Sequence, residues 1–226
     1  MVVISLGGSI VVPNDIDGAF VRGFRELLTR FVARGGAAII VVGGGSVARR
    51  YQDALRDVTA STATHEQLDW IGVAATHLNA EFVRHTMGDL VQDPVVTDPT
   101  GEISYRGKLL IAAGWKPGFS TDYDAVLLAE RFGADTVVNL SNIAHVYNAD
   151  PREDPSAQPI ERMTWAEFQK LVGEDWAPGS NWPFDPVATK HAAKVGLRVV
   201  VAAGRDLANT EAILAGDSFV GTQIVP

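Results

Sequence analysis

The stretch Ala37–Tyr51, AAIIVVGGGSVARRY, holds the residues whose types and spacing say most about chemistry. Gly43, Gly44 and Gly45 follow a short apolar run and lead into a segment of helical character that carries Arg49 and Arg50. A strand, a glycine turn and a helix in that order present bare backbone N–H groups and the positive end of a helix, which together suit a phosphate. A Cβ in the turn would hold the phosphate away, and such turns often require φ > 0. Arg49 lies about one turn into the helix, where a guanidinium can fork onto phosphate oxygens. The bland alternative is a tight strand-to-helix turn with solvated arginines. Gly7-Gly8-Ser9 forms a second glycine loop directly after the apolar run Val2–Leu6. A third follows Leu109–Ala113, running Gly114-Trp115-Lys116-Pro117-Gly118-Phe119 and then Ser120-Thr121-Asp122-Tyr123-Asp124.

Two common phosphate motifs do not account for this pattern. Gly43-x-Gly45-x-x-Ala48 formally fits the dinucleotide fingerprint, but that motif needs a second strand ending in an acidic residue about 20 residues on. Here the chain runs from Arg56 to Thr64 without a strand pattern. The P-loop spacing G-x-x-x-x-G-K-[ST] occurs nowhere, and no G-x-S-x-G nucleophile elbow exists. The five histidines show no metal-ligand spacing, and no metal ligand is assigned. The tryptophans lack the interleaved basic residues of a nucleic-acid stacking platform.

The elements that must position these residues alternate between strand and helix. Met1–Leu6 reads as a strand, and Gly18–Ala33 as a helix whose Phe20, Phe24, Leu27, Leu28, Phe31 and Val32 recur at three- and four-residue spacing. Gly35-Gly36 stops it, and Ala37–Val42 is the next strand. Two strands ending in glycine loops and joined by a helix make a βαβ unit, with both loops at one edge of a parallel sheet. His65–Met87 reads as a long helix with a stripe of Ile71, Ala74, Ala75, Leu78, Phe82 and Val83. Asp69 lies in its first turns, either as a charge favouring the helix dipole or as a ligand contact. Pro94–Lys108 is expected to form a short strand and a hairpin turn at Asp98–Gly101. Thr121 and Asp124 fit a capping box for the next helix, and capping alone would explain Thr121 and Asp122. Further strands are expected at Asp135–Leu140, Arg198–Ala203 and Phe219–Val225. Helices are expected at Thr164–Val172, from the Asp185-Pro186 cap to Gly196 with Lys190 on it, and at Leu207–Leu214. The stretch 177–184 reads as irregular.

The bulk numbers favour one α/β domain over residues 1–226. Hydrophobic residues make up 46% and charged residues 20%, an ordinary globular balance. The net charge of −8 disfavours nucleic acid or an anionic membrane as partner. Without cysteine there are no disulfides or thiolate sites, and a reducing compartment is expected. Met1 leads straight into a strand pattern, and no apolar run reaches the roughly 20 residues of a membrane span, so a cytoplasmic protein is expected.

Taken in order, these residues resemble the amino acid kinase family, and within it the archaeal-type uridylate kinases. The carriers are Leu6-Gly7-Gly8-Ser9 with Val11-Val12-Pro13, Gly43 to Tyr51, and Asp69-Trp70-Ile71-Gly72. Pro117-Gly118 with Ser120-Thr121-Asp122, Asn142 with Val146-Tyr147 and Ala149-Asp150-Pro151, Asp185 to Lys190, and Gly221-Thr222 complete the set. The resemblance implies a three-layer αβα sandwich with a mainly parallel sheet. It implies transfer of the ATP γ-phosphate to UMP with Mg²⁺, in a hexamer built from dimers through the N-terminal helices. It places Gly7, Gly8, Ser9, Gly45 and Arg49 at the ATP phosphates, and Ser141, Asn142, Tyr147 and Asp150 on the base and ribose side. UMP would be held by Gly44, Asp69 and the loop Trp115, Lys116, Pro117, Gly118, Phe119, Ser120 and Thr121. Lys190, Arg49 and Gly8 would act in catalysis. Two positions depart from the family: Ser5-Leu6 stand where many members carry a lysine, and Ala144-His145 stand where Asp-Gly is usual. Lys116 is a cation available to replace some of that charge. Other readings on the same fold are a different small-acid or phosphate kinase, or a non-catalytic nucleotide-binding or oxyanion-storage protein.

Overall fold

The computed structural model describes residues 1–172 and 182–226. The chain begins with strand β1 (Val2–Leu6), a single helical turn α1 (Gly8–Val11), helix α2 (Gly18–Ala33) and strand β2 (Ala38–Val42). Helices α3 (Gly45–Val58) and α4 (His65–Met87), strand β3 (Leu109–Ala112), helix α5 (Thr121–Phe132) and strand β4 (Thr136–Ser141) follow. Then come the short strands β5 (Val146–Tyr147), β6 (Pro159–Ile160) and β7 (Arg162–Thr164), and helix α6 (Trp165–Val172). Helix α7 (Pro186–Val195), strand β8 (Arg198–Ala203), helix α8 (Leu207–Ala215) and strand β9 (Thr222–Val225) close the chain. Of the irregular stretch 177–184, residues 177–181 lie outside the described residues, and 182–184 carry no helix or strand.

The main sheet has the order β3-β2-β1-β4-β8-β9-β7. The first five strands are mutually parallel; β9 runs antiparallel to β8, and β7 pairs parallel with β9. Alternate residues feed opposite faces. Val3, Ile39, Val137 and Val199 pack beneath α5, α6 and α7, while Ile4, Ile40, Val138 and Leu140 pack beneath α2 and α4. Strands covered on both faces read as continuous apolar runs, which is why β1, β2 and β3 lack an in–out alternation. The result is the expected αβα sandwich. The chain steps from β1 to β2 to β3 on one side, then returns to β4 on the other side of β1. The strand order therefore reverses between β1 and β4, and the crevice beyond their carboxyl ends is where open sheets of this kind bind ligands.

Local chemistry fixes the element ends. Asp17 caps α2 by accepting from the Phe20 N–H, and the Gly18–Ala33 prediction holds to the residue. Thr64 and Gln67 form a reciprocal capping box at α4. Ser120, one residue before the expected box, caps α5: its Oγ accepts from the Tyr123 N–H, because the Asp124 carboxyl is turned inward to the Trp115 N–H. No hairpin forms in 94–108. The Asp98 side chain makes the turn by accepting from Thr100 N, but the residues before it bridge in parallel to β3, as Val91 to Leu109 and Val96 to Ala112. The apolar stripe of α4 is rotated from its expected position. Leu78 and Ala74 are exposed, and the buried face includes Val73, Thr76, Asn79 and Val83. Two polar residues on that face have partners in the glycine-rich loops.

Candidate active site

Gly8 and the Gly43–Gly45 turn interlock backbone to backbone. A Cβ on Gly8 would collide with Gly45 N and lie 2.5 Å from Gly43 C and O; one on Gly43 would lie 2.5 Å from Gly8 N. Gly45 has φ +62°, and its Cβ would meet the Gly8 carbonyl oxygen. Glycine is thus required on both loops by close approach, and at Gly45 by backbone conformation as well. Val12 N donates to Gly8 O at 2.7 Å and Ser46 N to Val12 O at 3.0 Å, so α1 and the start of α3 form one block. Asn79, buried on α4, donates through Nδ2 to Gly43 O at 2.9 Å and to Gly44 O at 3.0 Å. Those carbonyls are thereby satisfied from behind. Nothing in the local sequence marks Asn79, because its partners are some 35 residues away in the chain.

Of the residues expected on the donor side, Asn142 and Ser9 are brought into contact. Asn142 Nδ2, beyond the end of β4, donates to Ser9 Oγ at 2.9 Å, joining two residues expected at the same ligand. Ser141 closes β4, and its carbonyl accepts from Gly204 N at 2.8 Å. Tyr147 lies on β5 with its ring edge-on to His145, 6.2 Å between centroids. Asp150 is bound to Arg152, N to O 2.6 Å, and this partner holds its carboxyl down at about 2. Arg49 and Arg50 of α3 are exposed, but Arg50 is engaged: its Nη2 donates to Asn14 O at 2.5 Å and lies 3.7 Å from Asp15. Arg49 has no ion pair among the described residues. Lys190 is exposed, just over one turn into α7, whose N-terminal end lies at the same sheet edge as the glycine loops.

The third loop is fastened at both ends. Thr76 Oγ1 accepts from Gly114 N at 2.8 Å, and His77 Nε2 lies 2.8 Å from Gly114 O. Asp124 Oδ2 accepts from Trp115 N at 3.1 Å, and Asp69 Oδ2 from Gly118 N at 3.0 Å. Gly118 has φ +83°, so the exposed tip after Pro117 needs glycine. Trp115, Phe119 and Tyr123 stack in series at 5.3 and 4.8 Å, and the Lys116 ammonium sits 3.6 Å above the Trp115 ring. One edge of the sheet thus carries two glycine loops, the exposed cations Arg49 and Lys190, and a third loop of aromatic and basic character tied to α4 and α5.

The family model for the amino acid kinase family matches residues 1–203. The chain belongs to the amino acid kinase family. A uridylate kinase of Methanospirillum hungatei is 38% identical over 226 residues, covering 99% of this chain and 94% of its own. One of Natronomonas pharaonis is 32% identical over 228 residues, with 100% and 98% covered. The crystal structure of uridylate kinase from Archaeoglobus fulgidus superposes with a TM-score of 0.83 at 32% identity, covering 99% of each chain.

In this amino acid kinase, Ser5, near the end of β1 beside the first glycine loop, donates through Oγ to Asp122 Oδ1 at 2.8 Å. Asp122 Oδ2 accepts from Asp185 N at 3.3 Å, so one carboxyl links β1, α5 and the cap of α7. Burial pushes the Asp122 carboxyl up to about 6, and the Asp185 charge pushes the same way, against the hydrogen bond from Ser5. Sequence reasoning treated Asp122 as a helix-start residue; its link to Ser5 spans 117 positions and leaves no local mark.

The arginine geometry makes a sharp expectation. Arg49→Ala should weaken nucleotide turnover by about 10- to 100-fold, the size of a lost charge-assisted phosphate contact. Arg50→Ala should change it little, because that side chain is committed to Asn14 and Asp15. Steady-state kinetics on both variants checks this; equal small losses would remove Arg49 from the site.

Proposed function

We propose that the chain transfers the γ-phosphate of ATP to UMP, giving UDP and ADP in pyrimidine nucleotide synthesis. Carrying this reading is the full-length match to uridylate kinases at 32–38% identity, coupled to two interlocked glycine loops beside an independently held third loop. A UMP phosphate oxygen attacks the γ-phosphorus, and the bond from that phosphorus to the β-phosphate bridging oxygen breaks as ADP leaves. Phosphoryl transfer of this kind needs in-line positioning and neutralisation of equatorial oxygens more than covalent chemistry. Backbone N–H groups of Gly8, Ser9 and Gly45 and the Arg49 guanidinium supply fixed positive groups for the ATP phosphates, whereas the Gly7 N–H, expected there too, is committed to Leu140 O at 2.9 Å. Ser141, Asn142, Tyr147 and Asp150 face the base and ribose. Lys190 adds transition-state charge from α7. Gly44, Asp69 and the loop from Trp115 to Thr121 take the acceptor.

Among the described residues no group of three metal-type ligands is assembled. Mg²⁺ belongs to the substrate, entering as the MgATP complex. Among the described residues no helix is long and apolar enough to cross a membrane. Tyr51, Val58, Trp70 and Leu78 are exposed on α3 and α4, a surface suited to pairing of two copies within a hexamer.

Separate titration of UMP and ATP tests the acceptor assignment. UMP should be phosphorylated and should raise the thermal midpoint. Asp69 fastens Gly118 through Oδ2, leaving Oδ1 for a ribose hydroxyl. Asp69→Asn should therefore raise the KM for UMP about tenfold or more while leaving ATP binding near wild type. If ATP binds but UMP neither binds nor turns over, the uridylate reading falls.

A further inference from the structure

We propose that Asp124 is a positioning residue for the acceptor, fixing the entrance of the loop from Trp115 to Ser120. This rests on the reading of that loop as the acceptor's binding segment. Asp124 is fully buried on α5, the helix packed over β1 and β2. It lies one turn after the Ser120 cap, and helical side chains lean toward the helix N-terminus. Its carboxyl accordingly reaches back to the loop and takes the Trp115 N–H on Oδ2 at 3.1 Å. The other oxygen, Oδ1, is buried without a hydrogen-bond partner among the described residues. A buried carboxyl with one orphaned oxygen is a poor way to fill a core, since an apolar side chain of the same volume would fill it without that cost. What the carboxyl provides and an apolar group cannot is an acceptor for the Trp115 N–H.

The other ties place this one. Thr76, His77 and Asp69 all belong to α4, and they hold Gly114 and Gly118. Asp124 is the tie, among the described residues, that fixes the backbone between those anchors from α5. Releasing it frees Trp115 and the Lys116 stacked over its ring, while Gly114 and Gly118 stay in place. The Gly8–Gly45 block takes no tie from Asp124; Asn79 of α4 and its own backbone contacts hold it. The effect should therefore fall on the acceptor and spare the donor.

Asp124→Leu and Asp124→Asn separate positioning from packing. Leucine matches the branched shape without an acceptor and relieves the buried carboxyl, so the variant should fold; asparagine retains an oxygen for the Trp115 N–H. For Asp124→Leu the KM for UMP should rise about tenfold, the scale of losing one buried hydrogen bond at a site, with kcat and the KM for ATP within about twofold. Asp124→Asn should stay within about threefold of wild type for all three constants. An unmoved KM for UMP in Asp124→Leu, or equal changes for UMP and ATP, would overturn the positioning role while leaving the acceptor reading intact. A wild-type protein that does not turn over UMP would overturn the acceptor reading, and this inference with it.

Discussion

Gly8→Ala is expected to reduce kcat/KM by at least about 100-fold while the protein remains folded. The alanine Cβ would collide with Gly45 N and stand 2.5 Å from Gly43 C and O, where ordinary contact begins at 3.4 Å. All three neighbours are backbone atoms, so none can rotate aside. The loops must part by roughly 1 Å, and displacements of that size in a reacting geometry cost about two orders of magnitude in rate. Overpacking of this kind also costs about 1–3 kcal/mol of stability, which for a chain of this length lowers the melting temperature by only several degrees. Gly18→Ala is the matched control, because a Cβ there meets nothing within 4 Å. Kinetics and thermal melts on the two variants decide the matter. A Gly8→Ala protein within tenfold of wild-type activity would show that the interlocked loops are not the phosphate-facing surface.

The glycine loops were legible because close backbone approach after a strand imposes a local demand. A strand, an absent Cβ and a helix start must be consecutive in the chain, and β1–α1 and β2–α3 satisfy this within a dozen residues each. The cap of α7 was equally readable, since Asp185 acts on the Ala188 N–H three residues on. What was missed acts at long range. Asp124, in the first turn of α5 and expected in a capping box, turns instead to Trp115 nine positions back. Asn79 and Thr76 lie in the interior of α4, where a polar residue ordinarily signals the solvent face, and their partners are loops brought near by the sheet. The same fact explains the misplaced stripe of α4, whose buried face turns polar where it meets those loops, leaving Leu78 outside. The hairpin expected in 94–108 failed for a related reason. The Asp98 turn is real, but the segment before it is claimed by the edge strand β3, and nothing local reports that competition.

Asp124→Asn is expected to stabilise the protein above neutral pH and to have little effect near pH 4. Burial pushes the Asp124 carboxyl from 3.8 to about 7, with Asp122, Asp185 and Asp98 adding repulsion and the Trp115 N–H opposing them. A folded-state pKa above the unfolded value means that the folded chain retains a proton the unfolded chain gives up. Between about pH 4 and 7 the unfolded state therefore binds fewer protons, and unfolding free energy falls as pH rises. Below pH 4 both states are protonated and there is no penalty; above about 7 the penalty is complete and constant. The gap corresponds to a ceiling of roughly 4 kcal/mol, at 1.36 kcal/mol per pH decade. Asparagine leaves an orphaned amide where the acid left an orphaned oxygen, which returns part of the gain, so about 1–3 kcal/mol should be observed at pH 8. Denaturant unfolding of both proteins from pH 4.5 to 8.5 at constant ionic strength gives the difference directly, and the other titrating groups cancel between them. The two curves should diverge through pH 5–7. Parallel curves would mean that Asp124 does not carry an uncompensated charge in the folded protein.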